Sequence, residues 1–136
     1  MSFEQYLVYS ARCGEIDDVK EMLAVANPPV DLNFRDESMS QNTALHMAAA
    51  NGHFEIAKLL LEAPGINTDI LNETRNTALH YAALNGKKNI VQILIDHKAN
   101  PNLKNQFDRT PIEEALQAGW VSIGNVLAPV SCFEEG

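Results

Sequence analysis

The sequence is poor in cysteine, in basic residues and in uninterrupted apolar stretches, and each shortage removes a class of protein. Its two cysteines, Cys13 and Cys132, stand near opposite ends of the chain. That separation argues against a zinc ribbon, a redox pair or a disulfide framework, and both are expected to be free thiols. Although 46% of the residues are hydrophobic, no apolar run is long enough for a membrane-spanning helix. The opening "MSFEQYLVYSARCGEID" has no basic region followed by an apolar stretch and a small-residue cleavage site, so the cytoplasm or the nucleus is the expected location. Without secretion, the acceptor pattern Asn72-Glu73-Thr74 is expected to carry no glycan. Bases number 10 against 18 acids, a net charge of −8, and the phosphate backbone of a nucleic acid would be repelled. Gly-rich phosphate loops and nucleophile motifs are missing too, Gly86-Lys87-Lys88 being too short for the former. No cofactor, no metal and no enzymatic activity are expected.

What is present is charge at both ends and repetition in the middle. Residues 1–40 hold eight acids against three bases, residues 41–112 are close to neutral, and Glu113, Glu114, Glu134 and Glu135 follow without a base. Acidic ends suit a basic partner. The stretch "NTALHMAAANGHFEIAKLLL" from Asn42 recurs as "NTALHYAALNGKKNIVQILI" from Asn76, with eleven of twenty positions identical. A reactive group is needed once, so duplication marks an array of similar units.

Four glycines, Gly14, Gly52, Gly86 and Gly119, keep the same company at separations of 38, 34 and 33 positions. Apolar residues follow four, five, eight and nine places on: Ile56, Ala57, Leu60 and Leu61 after the second, Ile90, Val91, Leu94 and Ile95 after the third. This spacing predicts one buried helical face. Each glycine is expected to end a first helix in a left-handed conformation. Small residues at Ala48, Ala49, Ala82, Ala83 and Ala115 let first helices approach closely. Helices this short are marginal alone and must stack. The polar stretches "NFRDESMSQN", "DILNETRN" and "NLKNQFDR" read as projecting turns, the first one enlarged, and Pro28 and Pro29 forbid helix in "VANPPVD".

"TALHMAAANGH" and "TALHYAALNGK" resemble the Thr-Pro-Leu-His signature of the ankyrin-repeat family, with Ala44 and Ala78 in the proline place; "TPIEEALQAG" keeps Thr-Pro and loses Leu-His. The resemblance implies an all-α solenoid of four stacked helix pairs with projecting hairpin loops. A capping pair is expected over 3–33 and repeats over about 38–71, 72–104 and 105–128, making one domain of 1–128 before a short acidic tail, 129–136. It also implies that Thr43, His46, Thr77 and His80 are scaffold residues that bond one another and the adjacent loop, with the four glycines structural as well.

Ankyrin stacks bind protein partners along a concave face of finger tips and first helices. Carried onto this chain, the finger positions are Met39, Ser40 and Asn42, then Glu73, Thr74 and Asn76, then Gln106, Phe107 and Arg109. The helix positions are Arg12 and Cys13, Ala50 and Asn51, Leu84 and Asn85, and Gln117 and Ala118, with Glu113 and Glu114 beside the rim. Met39, Leu84 and Phe107 stand out as apolar residues at surface places. Trp120 is expected to cover the last repeat's helix junction, and Asn51 and Asn85 to terminate helices. "NQFDRTPIEEALQAG" further resembles the small acidic fungal ankyrin proteins that escort a newly made basic ribosomal protein of the small subunit, the S-three type. That resemblance implies a monomeric escort for a basic protein chain. An inhibitor of a signalling enzyme, similar to the four-repeat ankyrin inhibitors of cyclin-dependent kinases, is the alternative.

Overall fold

Eight α-helices fall into four antiparallel pairs in the computed structural model, which describes residues 1–25 and 29–131. They are α1 Phe3–Cys13 with α2 Ile16–Val25, α3 Ala44–Asn51 with α4 Phe54–Glu62, α5 Ala78–Leu84 with α6 Lys88–Asp96, and α7 Pro111–Gln117 with α8 Val121–Leu127. First helices stack on first helices, and second helices on second helices. Pro29 is outside any helix, while Ala26–Pro28 and the tail from Cys132, including Glu134 and Glu135, lie outside the described residues. No described helix is long and apolar enough to cross a membrane.

The first helices start alike. The side chains of Ser2, Thr43, Thr77 and Thr110 each accept the backbone N–H of the residue three positions on, whose own side chain bonds back to the cap's backbone N–H in a reciprocal capping box. His46 and His80 complete two of these boxes, and Glu113 stands in the histidine place of the last. The second helices α4, α6 and α8 have no side-chain cap. A backbone turn begins them instead, in which the residue two after each glycine donates to the glycine carbonyl, as Phe54 to Gly52 and Lys88 to Gly86. The core is the expected one: Ala48, Ala49, Ala82, Ala83 and Ala115 are wholly buried between first helices, and Ile56, Leu60, Ile90 and Leu94 between second helices. Ile95 is only partly buried.

Gly86 shows why the glycines recur. Its φ of 72° is left-handed, and a Cβ there would meet the Trp120 ring at 2.7 Å. Trp120 thus covers the junction of the preceding pair, where its indole N–H donates to the Leu84 carbonyl at 2.9 Å, rather than that of its own repeat as the sequence suggested. One pair earlier the Lys87 stem lies against Gly52, and two pairs earlier His53 packs on Gly14 and engages the Arg12 carbonyl at 3.0 Å. The residue after Gly52, after Gly86 and after Gly119 is thus a clasp onto the repeat before it. Gly119, also left-handed, has nothing within 4 Å of its notional Cβ.

His46 and His80 make the longer link. The Thr43 backbone N–H donates to His46 Nδ1 at 3.2 Å, which makes that nitrogen an acceptor and leaves the proton on Nε2. Nε2–H then donates to the Asn76 carbonyl at 2.8 Å, in the next repeat's hairpin. His80 does the same with Thr77 and with the Arg109 carbonyl, at 3.1 and 2.9 Å. Burial lowers the pKa of His46 to about 4 and lowers that of His80 as well.

Two predictions follow from these contacts. Gly86→Ala should cost more stability than Gly119→Ala, because only the former adds a clash to the left-handed penalty of about 1–2 kcal/mol. In a Trp120→Ala background the Gly86 cost should fall to that penalty, and a coupling of zero in thermal or urea unfolding would refute the clasp. The histidines predict a pH effect. Both folded-state values lie below the ordinary 6.5, so the unfolded chain takes up protons first as pH falls. Their contribution is complete above pH 6.5 and is lost progressively toward pH 4 and below, on the order of 3 kcal/mol for His46 at about 1.4 kcal/mol per unit. His46→Gln with His80→Gln should be less stable at pH 7 yet show a flatter decline between pH 6.5 and 4 in urea titrations.

Candidate protein-binding face

Each projecting finger begins with a buried Asp or Asn whose side chain folds the tip. Asn72 Oδ1 accepts the backbone N–H groups of Thr74 and Asn76 at 3.1 and 2.9 Å, and Asn105 Oδ1 those of Phe107 and Arg109 at 3.0 and 3.2 Å. Asp36 Oδ1 accepts from the N–H and hydroxyl of Ser38. Short side chains that mimic a backbone turn explain why these residue types are needed. The backbone closes each hairpin between its ends, Asp36 donating to Asn42, Asn72 to Asn76 and Asn105 to Arg109, all at 3.0 Å. The first finger is the largest, with a 3-10 turn at Glu37–Met39 and two left-handed residues, Ser40 and Gln41, where the others have one, Arg75 or Asp108.

The fingers are joined edge to edge. Glu73 N–H donates to the Ser40 carbonyl and Gln106 N–H to the Thr74 carbonyl, both at 3.0 Å. Beneath them Asn72 Nδ2 donates to Asn42 Oδ1 at 2.8 Å, and Asn105 Nδ2 to Asn76 Oδ1 at 2.9 Å. A second set of bonds follows the opposite loops, where Asn67 N–H donates to Asn33 Oδ1 and Asn100 N–H to Asp69 Oδ1. The tips are therefore a rigid strip, braced from below by His46 and His80.

The structure divides the expected partner residues into two groups. Asn42, 6% exposed, and Glu114, 7% exposed, are buried. Asn42 bonds Asn72, and Glu114 Oε1 accepts from Asn105 Nδ2 and Arg109 Nη1, both at 3.4 Å, in the place that Tyr81 fills one repeat earlier. Glu113 is surface-exposed, but its Oε1 accepts the hydroxyl and N–H of Thr110 at 2.9 and 3.2 Å. The two carboxylates expected beside the rim are thus largely engaged within the chain, Glu113 standing in the histidine place of its repeat and Glu114 in the tyrosine place. Met39 is half-buried and packs on the core. Thr74 and Asn76 bond each other and Asn72, and Asn51 and Asn85 each donate to the carbonyl four residues back.

Arg12, Cys13, Ser40, Glu73, Leu84, Asn85, Gln106, Phe107, Gln117 and Ala118 remain exposed. Leu84 at 39% and Phe107 at 64% are the apolar members, and the Arg109 guanidinium lies 5.7 Å from the Phe107 ring centre. At the first finger Arg12, Ser38, Met39, Ser40, Asn42 and Met47 line a shallow hollow of about 290 Å³. Helix α1 and the first finger thus share one surface. Among the described residues no cluster of His, Cys, Asp and Glu could hold a metal ion. Sequence reasoning missed Asp36, Asn72 and Asn105, although Asn72 and Asn105 each stand five places before a capping threonine. It also missed the clasps, whose only signal was position next to glycine.

The family pattern described as ankyrin repeats (3 copies) matches residues 7–105 and 64–131. Over 112 residues the chain is 39% identical to the ankyrin repeat-containing protein P16F5.05c of Schizosaccharomyces pombe, which takes in 80% of this chain and 73% of that one. It is 43% identical over 56 residues to the ankyrin repeat-containing protein YAR1 of Saccharomyces cerevisiae, 41% of this chain and 28% of YAR1. A stretch of 67 residues is 40% identical to the histone-lysine N-methyltransferase EHMT1 of Mus musculus, 49% of this chain but 5% of that enzyme. The chain thus spans well under a third of YAR1 and about three quarters of the fission-yeast protein. With the capping threonines, the two bridging histidines and the recurring glycine turns in place, these matches establish that the chain belongs to the ankyrin-repeat family.

Proposed function

We propose that this chain is a dedicated escort of a basic ribosomal protein, held on the finger-and-first-helix face during ribosome biogenesis in the cytoplasm or nucleus. The observation that carries the reading is the exposure of Phe107 and Leu84 on a binding face of a chain whose net charge is −8. A ribosomal protein away from RNA exposes Lys and Arg together with apolar segments. An acidic receptor with a few apolar anchors screens the first and covers the second, in the manner of a helix or extended segment lying in a groove. Support also comes from the two fungal relatives and from "NQFDRTPIEEALQAG", the stretch that resembles the fungal escorts.

Binding kinetics against a purified small-subunit ribosomal protein of the S-three type test this reading. Leu84→Ala and Phe107→Ala should each speed dissociation by an amount equivalent to about 1–2 kcal/mol. Glu37 and Glu73 are exposed on the fingers, so Glu37→Lys with Glu73→Lys should slow association at low salt and lose that effect at high salt. Glu113→Lys or Glu114→Lys would instead lower stability, since both side chains hold the last repeat together. Binding that ignores salt and survives the four surface substitutions, or tight binding to a cyclin-dependent kinase in its place, sinks the escort reading.

A further inference from the structure

An exposed apolar patch on a helix pair marks a contact surface more often than scattered apolar residues do. The first pair carries such a patch among the described residues. On the side of α1 and α2 turned away from α3 and α4, Phe3 is 46% exposed and Val25 65% exposed. Together with Tyr6 and Met22 they line a hollow of about 270 Å³ whose remaining walls are Asp18 and Glu21. This is smaller than the usual small-molecule pocket and is of a size for side chains. Tyr6 is pinned by donating its hydroxyl to Asp18 at 3.1 Å, and its ring stacks on that of Tyr9, 6.4 Å away, which leaves two aromatic faces in solvent.

We infer that this end face is a second docking surface, built for an amphipathic segment that carries Lys or Arg beside its apolar residues. Charge complementarity selects that occupant. Glu4, Glu15, Asp17, Asp18 and Glu21 stand on or between α1 and α2 against Arg12 and Lys20, and Arg12 belongs to the first-finger hollow. A second copy meeting the face by two-fold symmetry would set this acidic pair of helices against its own image, and like charges oppose that. A basic segment instead places an apolar side chain between Phe3, Tyr6 and Val25, and its cations against Asp18, Glu21 and the exposed tyrosine faces. The inference does not rest on the escort reading, since it concerns a different surface and its probe is synthetic.

The test titrates the isotope-labelled full chain with a helical peptide bearing Leu on one face and Lys on the other, and with its counterpart bearing Glu for Lys. Amide shifts should be confined to α1 and α2, and the Glu peptide should not bind. Phe3→Ser with Val25→Ser should raise Kd about tenfold or more, a loss of roughly 1.4 kcal/mol. Glu21→Lys, an exposed site whose change leaves the helix intact, should weaken binding in parallel, while Phe107→Ala should leave it unchanged. Shifts centred on the fingers, equal binding of the two peptides, or concentration-dependent dimerisation through α1 and α2 in sedimentation would each overturn the inference. If Phe107→Ala abolishes ribosomal-protein binding while the peptide still binds α1 and α2, the two surfaces are separate. If neither α1 nor α2 responds to the Lys peptide, this inference alone fails.

Discussion

The carbonyl oxygens of Asn76 and Arg109 each accept two hydrogen bonds, and the stack depends on that double use. One donor is the N–H that closes the carbonyl's own hairpin, Asn72 or Asn105; the other is the Nε2–H of the preceding repeat's histidine. A carbonyl has two lone pairs, so both bonds form without competition. The histidine is itself oriented by the threonine that caps its helix, through an N–H that fixes the tautomer. Helix start, hairpin closure and repeat spacing are therefore set by one buried polar constellation. Its members are neutral, which avoids the desolvation penalty that a buried charge would bring.

Helices of 7 to 11 residues do not persist alone. Their order comes from neighbours, and the neighbours are engaged twice. Alanines let first helices meet closely, while His53, Lys87 and Trp120 reach back over the glycine turn of the pair before. The contacts run both ways: the second and third pairs each hold their predecessor by a clasp and their successor by a histidine, and the fourth holds its predecessor by Trp120. Where the pattern ends the chemistry changes: Glu113 closes the last capping box, and Glu114 replaces the tyrosine that elsewhere bonds the finger asparagine.

For binding, rigidity is the consequence that matters. Fingers joined by Glu73 to Ser40 and Gln106 to Thr74 bonds present Phe107 on a fixed strip, so the proposed docking of a partner there would cost little ordering entropy. The asparagine side chains beneath draw Asn42, Thr74 and Asn76 inward as parts of the strip. Residues at conventional contact positions thus divide into an exposed set and a set whose side chains are engaged in holding the strip in place.

By itself the sequence determined the repeat, the all-α pairing, the left-handed glycines and the buried stripes, because each is a local pattern of spacing, side-chain size or backbone freedom. His46 and His80 were legible as scaffold from their recurrence with the array. Tertiary structure decided what crosses between repeats. The links of Asn72 to Asn42 and of Asn105 to Asn76, the reach of Trp120 onto Gly86 rather than onto its own junction, and the engagement of Glu114 with Arg109 and Asn105 all depend on partners 5 to 36 positions away. A carboxylate written beside a rim reads as surface charge in one dimension. Only the packed chain shows that nearby donors in the third finger have already taken it.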